Sequence, residues 1–268
     1  MRAGGISLRN RHLLEQLHRG ARGPFTIKEA AALLSLDETR TRRLLRYLAG
    51  RGWLARARRG LYVTVPLEAA RSGEWTEDPW VLAAKAFSPC YVGGWSACEY
   101  WSLTDQVFRD LLVFTTRRVR NRSIELQGMP IKLRRTAASM VFGTKSVWRG
   151  QTRVAVSDAS RTVIDILRHP DLGGGMRHVA DIVRAYLDSE YRDDQLLIEY
   201  GDIIGNRTVF KRLGYLLELG APQANRLLAA CRKRISSGVT VLDPSIVTKG
   251  QINRRWGLRI NVDLAPPE

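Results

Sequence analysis

Between Thr26 and Pro66 the apolar positions first repeat with the period of a helix and then with that of a strand. Ile27, Ala30, Ala31 and Leu34 fall on one side of a short helix. Thr26 precedes it, with Glu29 three residues on, the arrangement of a capping box in which each side chain satisfies a free backbone N–H near the other. Ser35-Leu36-Asp37 reads as a tight turn. Asp37 is then the N-cap of a second helix, its charge matched to the positive helix end. That helix is expected to run to about Ala49 and to close at Gly50 in a left-handed conformation. Thr41, Leu44, Leu45 and Leu48 share one of its faces, and Thr39, Arg42, Arg43 and Arg46 the opposite one. Trp53–Ala57, the basic turn Arg58-Arg59-Gly60, and Leu61–Val65 follow as a hairpin. Two helices joined by a turn and followed by a basic hairpin predict a winged helix-turn-helix.

The pattern changes after Pro66. Residues 67–78 read as a linker, and Asp78-Pro79 opens a helix whose apolar face holds Trp80, Val81, Ala84 and Phe87. An aromatic-rich strand-turn-helix spans Tyr91–Thr104. Short β-like runs at Asp110–Thr115, Ser123–Leu126, Ile131–Leu133, Val147–Trp148 and Thr152–Val156 suggest a small twisted sheet. Ser157-Asp158 caps a further helix, with Val163, Ile164 and Leu167 inward. From Gly173 the period is helical, in four segments carrying Val179–Tyr186, Leu196–Ile203, Val209–Leu217 and Leu227–Cys231. The tail Trp256–Val262 alternates like an edge strand. The fold class expected is α+β: a winged helix-turn-helix over residues 1–66, then a larger mixed domain over residues 79–268.

Charge sharpens this picture. The chain of 268 residues carries a formal +17, and residues 1–65 hold fourteen basic against four acidic side chains, +10 of that total. An excess of this size implies an anionic partner, most simply nucleic acid. On the second helix an apolar back anchors the domain while a guanidinium-rich front reaches phosphates and guanine acceptors in a major groove. Lys28, Thr39, Arg40, Arg42, Arg43, Arg46, Arg56, Arg58 and Arg59 are the residues expected to contact double-stranded DNA. A second basic block holds Arg117, Arg118, Arg120, Arg122, Lys132, Arg134 and Arg135 against Glu125 alone. It reads equally as a nucleic-acid or protein-binding surface and as a solvated hairpin.

Enzyme chemistry is not evident. Gly173-Gly174-Gly175 is followed by no Lys-Ser or Lys-Thr and reads as a turn before a helix. Gly94-Trp95-Ser96-Ala97-Cys98 lacks the last glycine of a nucleophile elbow. His12, His18, His169 and His178 have no ligand spacing, so no metal and no cofactor is expected. Asp158 and Asp165 share a helix face, but Asp158 is better explained as an N-cap. Tyr91, Trp95, Tyr100 and Trp101 could stack on bases, although core packing suits their apolar surroundings better. Cys90, Cys98 and Cys231 read as reduced and buried. With no apolar signal core in Met1–Ser7 and no membrane-length run, a cytoplasmic protein is expected.

The order of these elements resembles a known family. Gly52-Trp53-Leu54 followed by Arg59-Gly60-Leu61-Tyr62-Val63 is similar to the N-terminal domain of the AbiEi antitoxins of type IV, abortive-infection toxin–antitoxin systems. Gly93–Ala97, Ser160–Leu167, Val209–Leu217 and Trp256–Asn261 are similar to the C-terminal domain of that family. The resemblance implies two roles. The winged domain binds repeats in its own promoter and represses the operon. The C-terminal domain counteracts a nucleotidyltransferase-like toxin that acts on tRNA, without requiring a stable complex, as part of phage defence. Three alternatives stay open: an RNA-binding protein that shields the tRNA through the 117–135 block, a stand-alone transcription factor, and a nuclease built on Asp158 or Asp165. The chain shows no coiled-coil seam, so a monomer that binds DNA cooperatively fits a repeated operator.

Overall fold

The computed structural model describes residues 6–66, 75–247 and 249–264. Most of the expected linker, residues 67–74, lies outside the described residues. The chain divides into two compact units, one of Met1–Tyr91, Arg109–Arg135 and Ser146–Ala155, the other of Val92–Phe108, Thr136–Lys145 and Val156–Glu268.

In the first unit, α1 (Leu8–Gly20), α2 (Ile27–Leu34) and α3 (Glu38–Gly50) pack with a three-stranded sheet of β1 (Phe25–Thr26), β3 (Leu61–Thr64) and β2 (Leu54–Arg58), in the order β1-β3-β2. The capping box forms as read: Glu29 N–H donates to the Thr26 hydroxyl, and Thr26 N–H to the Glu29 carboxylate. Ser35 closes α2 in the left-handed region at φ 51°. Asp37 caps α3 by accepting from Arg40 N–H at 2.8 Å. The end of α3 differs from the expectation: Gly50 stays helical and Gly52, at φ +81°, takes the left-handed position. The helix α1 had no counterpart in the periodicity. Its Leu14 and Leu17 join Phe25, Ala30, Leu34, Leu45, Leu48, Leu54 and Tyr62 in one core. Each such leucine contributes about 1.5–3 kcal/mol through burial, which is what holds α3 against its neighbours.

The first unit extends beyond the winged domain. It includes α4 (Pro79–Phe87) and the strands β5 (Leu111–Thr115), β6 (Ser123–Leu126) and β7 (Met129–Arg135). With β4 (Cys90–Val92), β8 (Thr144–Arg149) and β9 (Thr152–Ser157) these belong to a sheet ordered β6-β7-β5-β4-β9-β8. β5 and β7 are parallel, and β6 pairs antiparallel with β7 across a two-residue turn, Gln127-Gly128, both at positive φ as the tightest hairpins require. Three contacts tie the winged domain into this unit. The Lys85 ammonium pairs with Glu29, the Thr152 hydroxyl donates to the Arg22 carbonyl at 2.9 Å, and the Arg58 guanidinium stands 5.3 Å from the centre of the Phe87 ring. The compact units therefore do not follow the composition change at 67–78, because later segments fold back onto the first.

The second unit is largely helical: α5 (Trp95–Tyr100), α6 (Ala159–Arg168), α7 (Met176–Asp188), α8 (Asp194–Ile204), α9 (Thr208–Gly220) and α10 (Asn225–Arg232). A second small sheet has the order β10 (Thr240–Val241), β12 (Leu258–Ile260), β11 (Gln251–Asn253). The tail strand is thus central rather than at an edge, because β10 pairs with it in parallel from its other side. Buried residues of these helices and Trp256, Leu258 and Val262 form one core.

Candidate nucleic-acid interface

The candidate surface starts from the burial pattern of α3. Thr41, Leu45 and Leu48 are buried and Leu44 is half-buried, while Thr39, Arg40, Arg42, Arg43 and Arg46 are exposed. The Thr41 hydroxyl donates to the Asp37 carbonyl at 2.8 Å, so even its polar atom serves the helix rather than a ligand. Arg42, Arg43 and Arg46 have no ion pair and no hydrogen-bonding partner for their side chains among the described residues. Arg40 differs from them: its guanidinium pairs with the Asp37 carboxylate at 3.3 Å. Backbone N–H donation from Arg40, together with that guanidinium, holds the Asp37 carboxyl below its usual range. Lys28 is exposed in the first turn of α2.

The wing is β2, the turn Arg59-Gly60 and β3. Gly60 sits at φ +80°, which side-chain-bearing residues adopt with strain. The register slips between Arg56 and Arg58, so Arg58 faces Leu61 across a bulge. Arg56 Nε donates to the Arg58 carbonyl at 3.4 Å, and Arg59 is exposed. Burial, and after it the neighbouring charge of Arg117, lowers the Arg58 guanidinium from its ordinary value. Sequence reading gave no sign of this proximity, since nearly sixty residues separate the two arginines.

The other block lies on the first unit's own sheet. Arg117, Arg118, Arg120 and Arg122 are exposed in the loop between β5 and β6; Lys132, Arg134 and Arg135 belong to β7. Lys132 pairs with Asp110 at 3.4 Å, and Arg134 is half-buried.

The residues weighed for other chemistry are taken up in packing. Asp158 caps α6 through Arg161 N–H at 2.8 Å and accepts from the Tyr200 hydroxyl at 2.9 Å. Asp165 is buried against Arg161, 3.0 Å away. The N–H of Met176, the first residue of α7 after the glycine run, donates to buried Asp243 at 2.8 Å, so a carboxylate of the chain itself occupies the place an anion would take. Ser96 is buried. Tyr91 stacks on Phe114, Trp95 on Phe108, and Trp101 meets Tyr191 edge-on. Burial raises the thiols of Cys90 and Cys231 to about 12, so neither is a nucleophile at neutral pH. Among the described residues no group of three or more His, Cys, Asp or Glu could hold a metal ion, and no helix is long and apolar enough to cross a membrane.

A three-stranded sheet, a helix-turn-helix and an outward row of guanidinium groups without ion pairs among the described residues are the parts of a winged DNA-binding domain. Residues 12–65 match the family of transcriptional regulators described as AbiEi antitoxins. The match begins within α1 and ends after β3, so it covers the helix-turn-helix and the wing together. Gly93–Ala97, Ser160–Leu167, Val209–Leu217 and Trp256–Asn261 lie outside it. No curated protein matches the chain.

Proposed function

We propose that this chain is a transcriptional autorepressor and the antitoxin of a type IV toxin–antitoxin pair. The DNA-binding role is assigned to residues 1–66, and the toxin-directed role to residues 79–268. The observation that carries the reading is the outward row Arg42, Arg43 and Arg46, without an ion pair or side-chain hydrogen bond among the described residues, on a helix whose opposite face is locked into the core of an AbiEi-type domain. Arginines so placed recognise phosphates and the O6 and N7 acceptors of guanine. Lys28, Thr39, Arg40 and the wing residues Arg56, Arg58 and Arg59 contact the flanking backbone. The partner is double-stranded DNA of the chain's own promoter, bound in the cytoplasm by monomers that cooperate on repeated sites. The opposing toxin is a nucleotidyltransferase-like protein, counteracted without catalysis by the antitoxin and without a stable complex.

The test is the double variant Arg42→Ala/Arg46→Ala. Operator binding should be lost while toxin neutralisation in cells persists, because both substituted side chains lie on the exposed face of α3, within residues 1–66. A base contact is worth about 1–3 kcal/mol, so two together remove most of the sequence preference. Loss of both activities in a folded variant would contradict the division of roles.

A further inference from the structure

The second unit holds a cleft of about 430 Å³ between α7, the end of α9 and the chain that leaves β12. That volume is in the range of small-molecule pockets. Its walls are apolar: Val183 and Leu187 of α7, Leu216 of α9, and Val262 after β12, all buried. Ala180 and Ala221 also line it, and their single methyl groups leave the space between the helices unfilled. Leu219 lines the cleft while 57% exposed, a large apolar side chain left against water.

The polar groups of the cleft divide by what already holds them. Arg184 pairs with Asp181 at 3.0 Å. Arg192 is engaged three times: its Nε and Nη2 donate to the two Asp194 oxygens at 2.8 and 3.0 Å, and its Nη1 to the Leu187 carbonyl at 3.3 Å. Two groups are left over. The exposed carboxylate of Asp188, the last residue of α7, has no ion pair or hydrogen bond among the described residues. The half-buried Tyr215 hydroxyl has no hydrogen bond among them either. Burial, and after it the charges of Asp263 and Glu218, raises that hydroxyl above its ordinary value, so the phenol stays neutral. A second acid, Asp263, lines the same cleft. Two helices also end there, α7 at Asp188 and α9 at Gly220, and each brings the partial negative charge of its last carbonyls. In a chain of net charge +17, the uncommitted charge at this cleft is therefore negative.

We propose that the cleft binds a small organic cation with an apolar, aromatic-sized body. Its ammonium group lies at Asp188 and the two helix ends, and its body lies against Leu187, Leu216 and the face of the Tyr215 ring, which itself attracts a cation. A carboxylate ligand would instead meet Asp188, Asp263 and arginines that are already paired. The site is independent of the DNA-binding role assigned to residues 1–66.

The experiment is calorimetric titration of the full chain with two probes that share a ring system and differ in charge, tryptamine and indole-3-acetate. Tryptamine should bind saturably at one site per chain, and indole-3-acetate more weakly by about fivefold, the upper end for one exposed charge pair. Asp188→Asn, a change at an exposed position, should weaken tryptamine by about the same factor and leave indole-3-acetate no weaker. Ala180→Phe fills the cleft and should abolish binding of both probes; its melting temperature shows whether it folds, and the Asp188 variant decides alone if it does not. Equal affinity for the two probes, no saturable binding of tryptamine, or tryptamine binding that Asp188→Asn or folded Ala180→Phe leaves unchanged would overturn the site. Self-association of the chain that folded Ala180→Phe abolishes, without tryptamine binding, would give the cleft to a second copy and overturn it too.

Discussion

Gly214 of α9 lies flat against the indole of Trp256: a Cβ built on Gly214 would stand 2.0 Å from the ring's Cζ3 atom. The indole cannot easily retreat. It is 1% exposed, its N–H donates to Glu218 on the same helix, and its backbone N–H donates to Asn253 Oδ1 at 3.0 Å. Gly214→Ala is therefore expected to destabilise the second unit by about 1–3 kcal/mol, the usual effect of overpacking. Urea unfolding should show the loss. Selective DNA binding well below the unfolding midpoint should be unchanged. A variant as stable as wild type would mean that the indole shifts freely.

Arg212 is buried and has no ion pair with a carboxylate among the described residues. Its Nε donates to the Leu242 carbonyl at 2.9 Å, Nη1 to those of Leu167 and Arg168 at 2.7 and 3.2 Å, and Nη2 to Val241 at 3.1 Å. Burial lowers its pKa to about 10, opposed by the charge of Asp243. One side chain thus closes the end of α6 and joins it to β10. Arg212→Met leaves four carbonyls without these donors and should cost about 3 kcal/mol or more. Chemical denaturation is the check, and Arg212→Lys should recover only part of the loss, because one ammonium cannot reach four acceptors.

Asp243 sets an acid limit. Burial alone would raise its carboxyl, but donation from the Ser245 hydroxyl, from the backbone N–H groups of Met176 and Ser245, and the charge of Arg212 outweigh it and hold the group below its ordinary value. A carboxyl depressed by folding contributes stability that is complete above its unfolded value of about 3.9, and that is lost as pH falls through the folded value. Melting temperature should therefore drop on acidification below about pH 4. Asp243→Asn, less stable at neutral pH, should show a shallower drop.

The helix-turn-helix was legible because its signals are local. Capping residues, the spacing of Thr41, Leu45 and Leu48, and the opposed arginines all lie within one or two turns of each other, and the match over residues 12–65 falls on the same segment. Less local features were not legible. Leu14 and Leu17 give α1 too narrow an apolar stripe for periodicity to mark. The closing position moved from Gly50 to Gly52 because both glycines permit it and only the path into β2 decides. The tail strand looked like an edge because its parallel partner, Thr240-Val241, is two residues long and lies far earlier in the chain. The approach of Arg58 to Arg117 depends on a loop docking onto the end of α4, which no spacing encodes. Asp165, weighed as a nuclease residue, is paired with its own helix neighbour four residues away, Arg161.

The central claim is that the chain reads its own upstream DNA through α3. A gel-shift titration of the purified full chain against that DNA, with scrambled competitor and a salt series, tests it most directly. The account predicts tight binding that survives excess scrambled DNA and retains its sequence preference as salt rises, even as affinity falls. Binding that is weak, that salt abolishes, and that scrambled DNA displaces as readily as the upstream duplex would contradict it.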